Sequence, residues 1–541
     1  MLNNNSSIFS RWADRRFLFL IFLWVLLTAL NIGKAYHIDD TFHLKAASWI
    51  KENPGKPMSG LINWKDDPTP MYSHNQPPLF FFLISFIIPL AGTGEIPLHL
   101  FLSIFTFLAL LLFQRLTEDL KLENKSLLLM LFAFCPALVV NQNLMTDIPV
   151  LVVVLASALF LLKAGGPSKT SGYIFSALLL GIGLLIKYSV LPLLVVLLLV
   201  IIIRRDFKYI GTLLIPLGFL VLWSFWNLSE YGSIHFLDRP KGEIHINRLW
   251  SFMACTGSVS FFLASLLGGS WPNTKVRKGI YIVLFLFVLQ IGLFANQLIP
   301  GKSNSIILNI LFVLNGLLFY FLVVRLFIIN AREIGLQRYL KTDSFTIFLF
   351  IGATSAFMVL LAPFMATRHI LLIIPFALLF SDKLFSKSGN QINRISLGLS
   401  ILFGVLLGIS DYTYANYYRK MAGISKYYPG QTVWTAGHWG WQWYAGKNGM
   451  KEYATNSSLV KDGDLMIYPA NIPRQVLGPD LHLTVIEKRW DEASILTFFS
   501  GNNFASLYSS STKTPPWTLS LQPIDTIYIC RIHKLASNPP Q

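Results

Sequence analysis

Two adjacent carboxylates, Asp39 and Asp40 in Ile38-Asp39-Asp40-Thr41, follow the first long apolar run, Phe17 to Asn31, by only a few residues. An acid at the edge of a membrane segment costs solvation free energy, so it is a functional candidate. Four further polar groups interrupt otherwise apolar sequence. They are His74 and Gln76 in His74-Asn75-Gln76-Pro77-Pro78, Asp147 in Thr146-Asp147-Ile148-Pro149, Lys187 in Ile186-Lys187-Tyr188, and the pair Arg368-His369. Carboxylates that can take a proton and cations that can hold a phosphate are the parts needed for transfer from a phosphate-linked donor. Each has a plainer reading. The acid pair can end a helix in solvent, and Lys187 and Arg368 can snorkel to headgroups. Thr146-Asp147 with Pro149 also suits a helix N-terminus, and His74 suits a loop hydrogen bond. Placement on one side of a membrane is what independent accidents would not produce.

That placement depends on the elements that carry the residues. The 541-residue chain is 54% hydrophobic and 13% charged, with a mean hydropathy of +0.55, a composition that excludes an ordinary soluble globule. Polar interruptions divide it into roughly thirteen spans: 17–33, 97–115, 126–142, 148–163, 172–187, 189–203, 209–227, 248–268, 279–299, 305–328, 344–362, 368–381 and 395–410. No cleavage site follows the first apolar run, so that run is expected to stay as an anchor. The net charge of +17 is expected to reflect orientation rather than nucleic acid. With the N-terminus inside, Arg11, Arg15, Arg16, Arg115, Lys121, Lys125, Arg204, Arg205, Lys208, Lys275, Arg277, Lys278, Arg332, Arg338, Lys341, Lys383, Lys387 and Arg394 all fall on the cytoplasmic side.

Leu79 to Ala91 is too short to span and is expected to be interfacial or re-entrant. Residues 34–96 then form one long external loop containing short helices. Asp39, Asp40, His74, Gln76, Asp147, Lys187, Arg368 and His369 all map to the outer side. The fold expected is therefore an α-helical polytopic membrane domain, residues 1–410, followed by a small soluble α/β domain, residues 411–541, outside the membrane.

The tail carries strand-like runs at Thr432 to Thr435, Leu465 to Tyr468, His482 to Glu487 and Thr526 to Ile532, with a helical stretch near Trp441 to Lys447. Tyr412, Tyr414, Tyr417 and Tyr418 are expected to form an interfacial aromatic belt. The aromatic cluster Trp434, His438, Trp439, Trp441, Trp443 and Tyr444 fits a small domain core slightly better than a sugar-stacking surface. Cys135, Cys255 and Cys530 are too scattered to imply a disulfide framework.

The order of these motifs resembles the GT-C superfamily of polyprenyl-phosphate-sugar glycosyltransferases, in particular the protein O-mannosyltransferase and lipid A aminoarabinose transferase group. Asp39-Asp40 is similar to that group's acidic pair after the first span. His74 to Phe82 (HNQPPLFFF) is similar to its Lys-Pro-Pro-Leu-Tyr-Tyr segment, and Thr146-Asp147 to its Thr-Asp element. Thr367 to Phe376 (TRHILLIIPF) is similar to its Arg-Tyr-Leu-Leu-Pro-Leu-Leu-Pro stretch. The resemblance covers residues 10–410. Gln76 stands where the group often has lysine and His369 where it often has tyrosine, so a phosphate countercharge would pass to Lys187 or Arg368.

The resemblance implies a hexosyl or pentosyl transferase at the cytoplasmic (inner) membrane. It would move a sugar from a polyprenyl-phosphate donor to a lipid, glycan or protein acceptor on the periplasmic face. Asp39 is expected to be the general base, Asp40 to position it, and Asp147 to orient a substrate. Lys187 and Arg368 are expected to bind the donor phosphate, and His74, Gln76 and His369 to line the substrate site. A divalent metal ion stays open, with Asp40, Asp147, His74, His235 and His245 as candidate ligands of no recognisable spacing. The partners are the lipid-linked donor, the acceptor and the bilayer, with no nucleic acid. The rival is a secondary transporter or lipid flippase, but the spans are nearly charge-free through their middles, where transporters usually place their charges.

Overall fold

The computed structural model describes residues 15–74, 76–239, 245–456, 458–492, 497–503, 505–508 and 514–535; Arg11 lies outside them. Each predicted span coincides with helix, although several helices are short or broken. Among the described residues six helices are long and apolar enough to cross a bilayer, and two bent pairs bring the number to eight. The bent pairs are Ile246–Val259 with Leu263–Ser270, at 93°, and Thr367–Phe380 with Asp382–Ser388, at 62°. Arg15–Asn31 and Asp147–Lys163 have 17 residues each, about 25 Å of helix against a hydrocarbon core of about 30 Å. Leu79–Ala91 is a 13-residue helix, as its length predicts. This is a multi-pass membrane protein.

Small residues let the helices meet closely. A methyl group on Gly257 would come within 1.9 Å of the Phe312 carbonyl oxygen, and one on Gly316 within 2.1 Å of the Met253 oxygen. Helices Ile246–Val259 and Gly301–Ile334 therefore touch backbone to backbone, the contact that small residues permit where lipid gives no hydrophobic drive. Ser157 and Ser176 hydrogen-bond at 2.8 Å between Asp147–Lys163 and Lys169–Leu184.

The loops sort into two ends. Residues 118–121, 162–163, 165–169, 204, 206 and 341–343, all predicted cytoplasmic, line one cleft of 1010 Å³. Its charges pair among themselves as Lys163–Asp119, Lys169–Asp206 and Arg204–Asp343. Asp147 begins the helix that Lys163 ends, so the cleft and Asp147 lie at opposite ends of one helix.

The tail forms a five-stranded mixed sheet in the order Lys451–Glu452, Val433–Thr435, Leu465–Pro469, Ile527–Lys534, Leu481–Arg489. The first three strands run parallel and the last two pairings are antiparallel. Alternate residues separate two cores. Leu465, Ile467, Ile527 and Ile529 join the core continuous with the helices, while Met466, Tyr468, Cys530 and Ile532 form a second one. The four predicted strands and the helix Trp439–Lys447 are present. Trp434 and Trp441 are core residues, donating to Asp464 and Thr435.

Two expectations change. The last helix runs Asn390–Met421, so the 410/411 boundary falls inside it. Tyr414, Tyr417 and Tyr418 are buried rather than interfacial. Tyr417 donates to the Asp525 carbonyl and Tyr418 to its carboxylate, because the tail folds back over this helix. Gly440 seats the tail on the loop after the first helix, where a Cβ would stand 2.3 Å from the Tyr36 oxygen.

Candidate active site

After the first helix the chain turns sharply. Ile38 takes φ +50°, a left-handed conformation that a β-branched side chain resists and that strained functional turns retain. The turn lets Asp40 Oδ2 accept the His37 N–H at 2.8 Å and starts the helix Asp40–Glu52. The two acids then face different surroundings. Asp40 is fully buried, and Oδ1 makes no hydrogen bond within the protein. Burial pushes its carboxyl up to about 8, aided by Asp39 and Asp411 and opposed by the His37 N–H and Lys34. Asp39 keeps 31% of its side chain exposed and accepts from Arg368 Nη2 at 2.8 Å.

Asp147 opens its helix but is not a cap. Thr146 makes no capping bond, and the Asp147 carboxylate accepts from Lys187 Nζ at 2.6 Å. Lys187 follows the helix Lys169–Leu184, and Arg368 lies in the turn Thr367–Leu372. Four loops thus deliver two acids and two cations as two ion pairs. The pairs lie near enough that Asp147 also feels Arg368 and His369, and Lys187 feels Asp39. Arg368 Nε and His369 Nδ1 are buried without a hydrogen bond in the protein. More than nine-tenths of buried polar groups are normally satisfied, so these atoms remain free to meet a polar ligand.

His74 and Gln76 take no part in the two ion pairs. The His74 ring packs 4.9 Å from Phe42 and feels the charge of Asp39; burial pulls its pKa down to about 4, which keeps it neutral. His74 Nε2 and Gln76 Oε1 also lack partners within the protein. Among the described residues, no three His, Cys, Asp or Glu side chains converge as a metal site. His235 spends one ring nitrogen on Tyr188 and the other on the His74 carbonyl, while His245 accepts from the Asn247 N–H. The candidate metal ligands are therefore not gathered into one site among the described residues.

Several residues missed in the sequence surround the site. Lys34 is fully buried and pairs with buried Asp411 at 2.9 Å, also donating to the Val140 carbonyl. A signal existed, since these opposite charges close the first and last apolar runs. His43 Nδ1 lies 2.6 Å from the Leu144 carbonyl and fastens the acid-bearing helix to the Asp147 loop. Asn143 and Tyr508 join the same network, and nothing local in the sequence marks Tyr508.

Residues 75–226, which hold Gln76, Asp147 and Lys187, match the family model described as dolichyl-phosphate-mannose-protein mannosyltransferase. Over that stretch the chain is similar to this family. Among solved structures, ArnT from Cupriavidus metallidurans bound to undecaprenyl phosphate is 11% identical, with coverage of 98% of this chain and 100% of that one and a TM-score of 0.37. Apo ArnT from the same organism is 12% identical, covering 86% and 94% with a TM-score of 0.38. No curated protein matches the sequence significantly. The fold of this chain is defined by its own helices and sheet.

Proposed function

We propose that this chain transfers a hexosyl or pentosyl group from a polyprenyl-phosphate donor to an acceptor on the outer face of the cytoplasmic membrane. One observation carries the reading: Asp39 with Arg368 and Asp147 with Lys187 meet from four separate loops at the ends, not the middles, of apolar helices. The donor phosphate takes up Arg368 and Lys187, and by competing for Arg368 it releases Asp39. Asp39 then accepts the proton of the attacking acceptor oxygen. The bond from the sugar's anomeric carbon to the phosphate oxygen breaks, and a bond to the acceptor oxygen forms. The two cations stabilise the departing phosphate, and Asp147 orients the substrates. Asp40, buried and carrying its proton, holds the turn that presents Asp39.

The domain assignment belongs to the same proposal, with its boundary moved to the end of the helix Asn390–Met421: the helices up to that point form the membrane domain, the remaining tail lies outside, and the N-terminus is in the cytoplasm. A transporter or flippase would place such charges near the bilayer midplane.

Direct binding of undecaprenyl phosphate to purified protein tests the clamp. Lys187→Met and Arg368→Ala should each weaken binding roughly 10–100-fold, the worth of a charge-assisted hydrogen bond. Arg368→Lys should recover only part of that, because lysine lacks the bidentate fork. Wild-type affinity in both Lys187→Met and Arg368→Ala would eliminate the clamp.

A further inference from the structure

Tyr508 comes from the tail, yet it lies among the groups that hold the site. Its hydroxyl accepts from Asn143 Nδ2. It stands 2.9 Å from the Val140 carbonyl and 3.1 Å from Asp411 Oδ2, so its proton can go to either. The ring lies 5.6 Å from the His37 ring and beneath the Arg368 guanidinium, 5.8 Å from its carbon. The preceding residue contributes as well, since the Leu507 carbonyl accepts the Arg368 backbone N–H at 3.1 Å. One tail residue therefore touches the turn before the acid pair, the loop before Asp147, the last helix at Asp411 and Arg368 itself.

We infer that Tyr508 is a positioning residue that aims Arg368 at the donor phosphate and fixes the Asn143 loop, so that the tail completes the phosphate site. The inference rests on the clamp proposed above. The two parts of Tyr508 act on different targets. The aromatic face holds the guanidinium through a cation–π contact, worth a few-fold to about thirtyfold in affinity when desolvated. The hydroxyl holds the loop that leads into Asp147. An arginine presented by a packed ring and a backbone carbonyl has less freedom to lose when it takes up a phosphate, which favours binding.

The experiment measures undecaprenyl phosphate affinity in full-length variants, normalised to folded protein. Tyr508→Phe keeps the ring and should bind within about threefold of wild type, whereas Tyr508→Leu should bind about tenfold more weakly. Tyr508→Met, similar in bulk and without a π face, replaces Tyr508→Leu if the latter does not fold, with the same expected loss. In an Arg368→Ala background either substitution should add less than about twofold, because the ring then has no guanidinium to hold. Equal losses with Phe and Leu, or a full tenfold loss in the Arg368→Ala background, would overturn the assignment while leaving the clamp intact. Wild-type affinity in Arg368→Ala and Lys187→Met would instead remove the clamp, and the inference with it.

Discussion

Replacing Asp39 by asparagine should stop turnover and yet tighten the donor phosphate. Asp39→Asn is nearly isosteric, and its amide oxygen can still accept from Arg368 Nη2, now at 2.8 Å from a carboxylate. What disappears is charge. A hydrogen bond between ions is worth about 1.5–3 kcal/mol and one with a neutral partner about 0.5–1.5. The guanidinium is therefore held against the incoming phosphate by about 1–1.5 kcal/mol less, which converts to roughly tenfold tighter binding. Arg368 is nearly buried, with 5% of its side chain exposed, whereas Asp39 keeps 31% exposed. Breaking the pair should then cost about 1–2 kcal/mol of stability, below the 3–5 typical of fully buried pairs. Loss of the proton acceptor should lower the rate about 10²–10⁴-fold. The assay pairs undecaprenyl phosphate affinity with single-turnover transfer and thermal melting on the same preparation. Weaker or unchanged phosphate binding would refute the exchange of Asp39 for phosphate on Arg368, and normal turnover would refute the base.

Two further outcomes are expected. Cysteines introduced at Lys461 and Thr274, both exposed, should label from opposite sides of the membrane, Lys461→Cys from outside; the three native cysteines are buried. Labelling of both from one side would overturn the map. The Asp40 carboxyl is raised from 3.8 to about 8 by burial, so the native state holds a proton that the unfolded chain gives up above about pH 4. Stability should therefore fall between about pH 4 and 8, and Asp40→Asn should raise the melting temperature at pH 8 with little change at pH 4. Parallel melting curves for the two proteins would contradict a protonated Asp40.

The sequence revealed where the site would be better than how it would be wired. Position relative to apolar runs and basic loops was enough to collect Asp39, Asp147, Lys187 and Arg368 on one side, because membrane topology is a local property of the chain. Pairing is not local. Arg368 finds Asp39 across 329 residues, and no pattern in either segment distinguishes that partner from Asp147. The tyrosines near residue 414 illustrate the same limit. Their composition suits a headgroup belt, yet Tyr414, Tyr417 and Tyr418 are buried, and Tyr417 and Tyr418 are held inward by Asp525, 107 residues beyond Tyr418. The strands were legible because alternation is written in a few consecutive residues.

The Lys34–Asp411 pair has a consequence in time as well as in space. Its partners are separated by 377 residues, and a chain grows at about 5–20 residues per second. Lys34 thus reaches the membrane boundary roughly 20–75 s before its carboxylate has been made. During that interval the ammonium has to remain hydrated at the surface or be held by another protein, because an unpaired charge is costly in the apolar region. The first helix can settle to its final depth only when the last one arrives. The nascent chain therefore waits in the membrane with this pair unmade, and a ribosome that stops before Asp411 leaves Lys34 without the carboxylate that neutralises it in the folded protein.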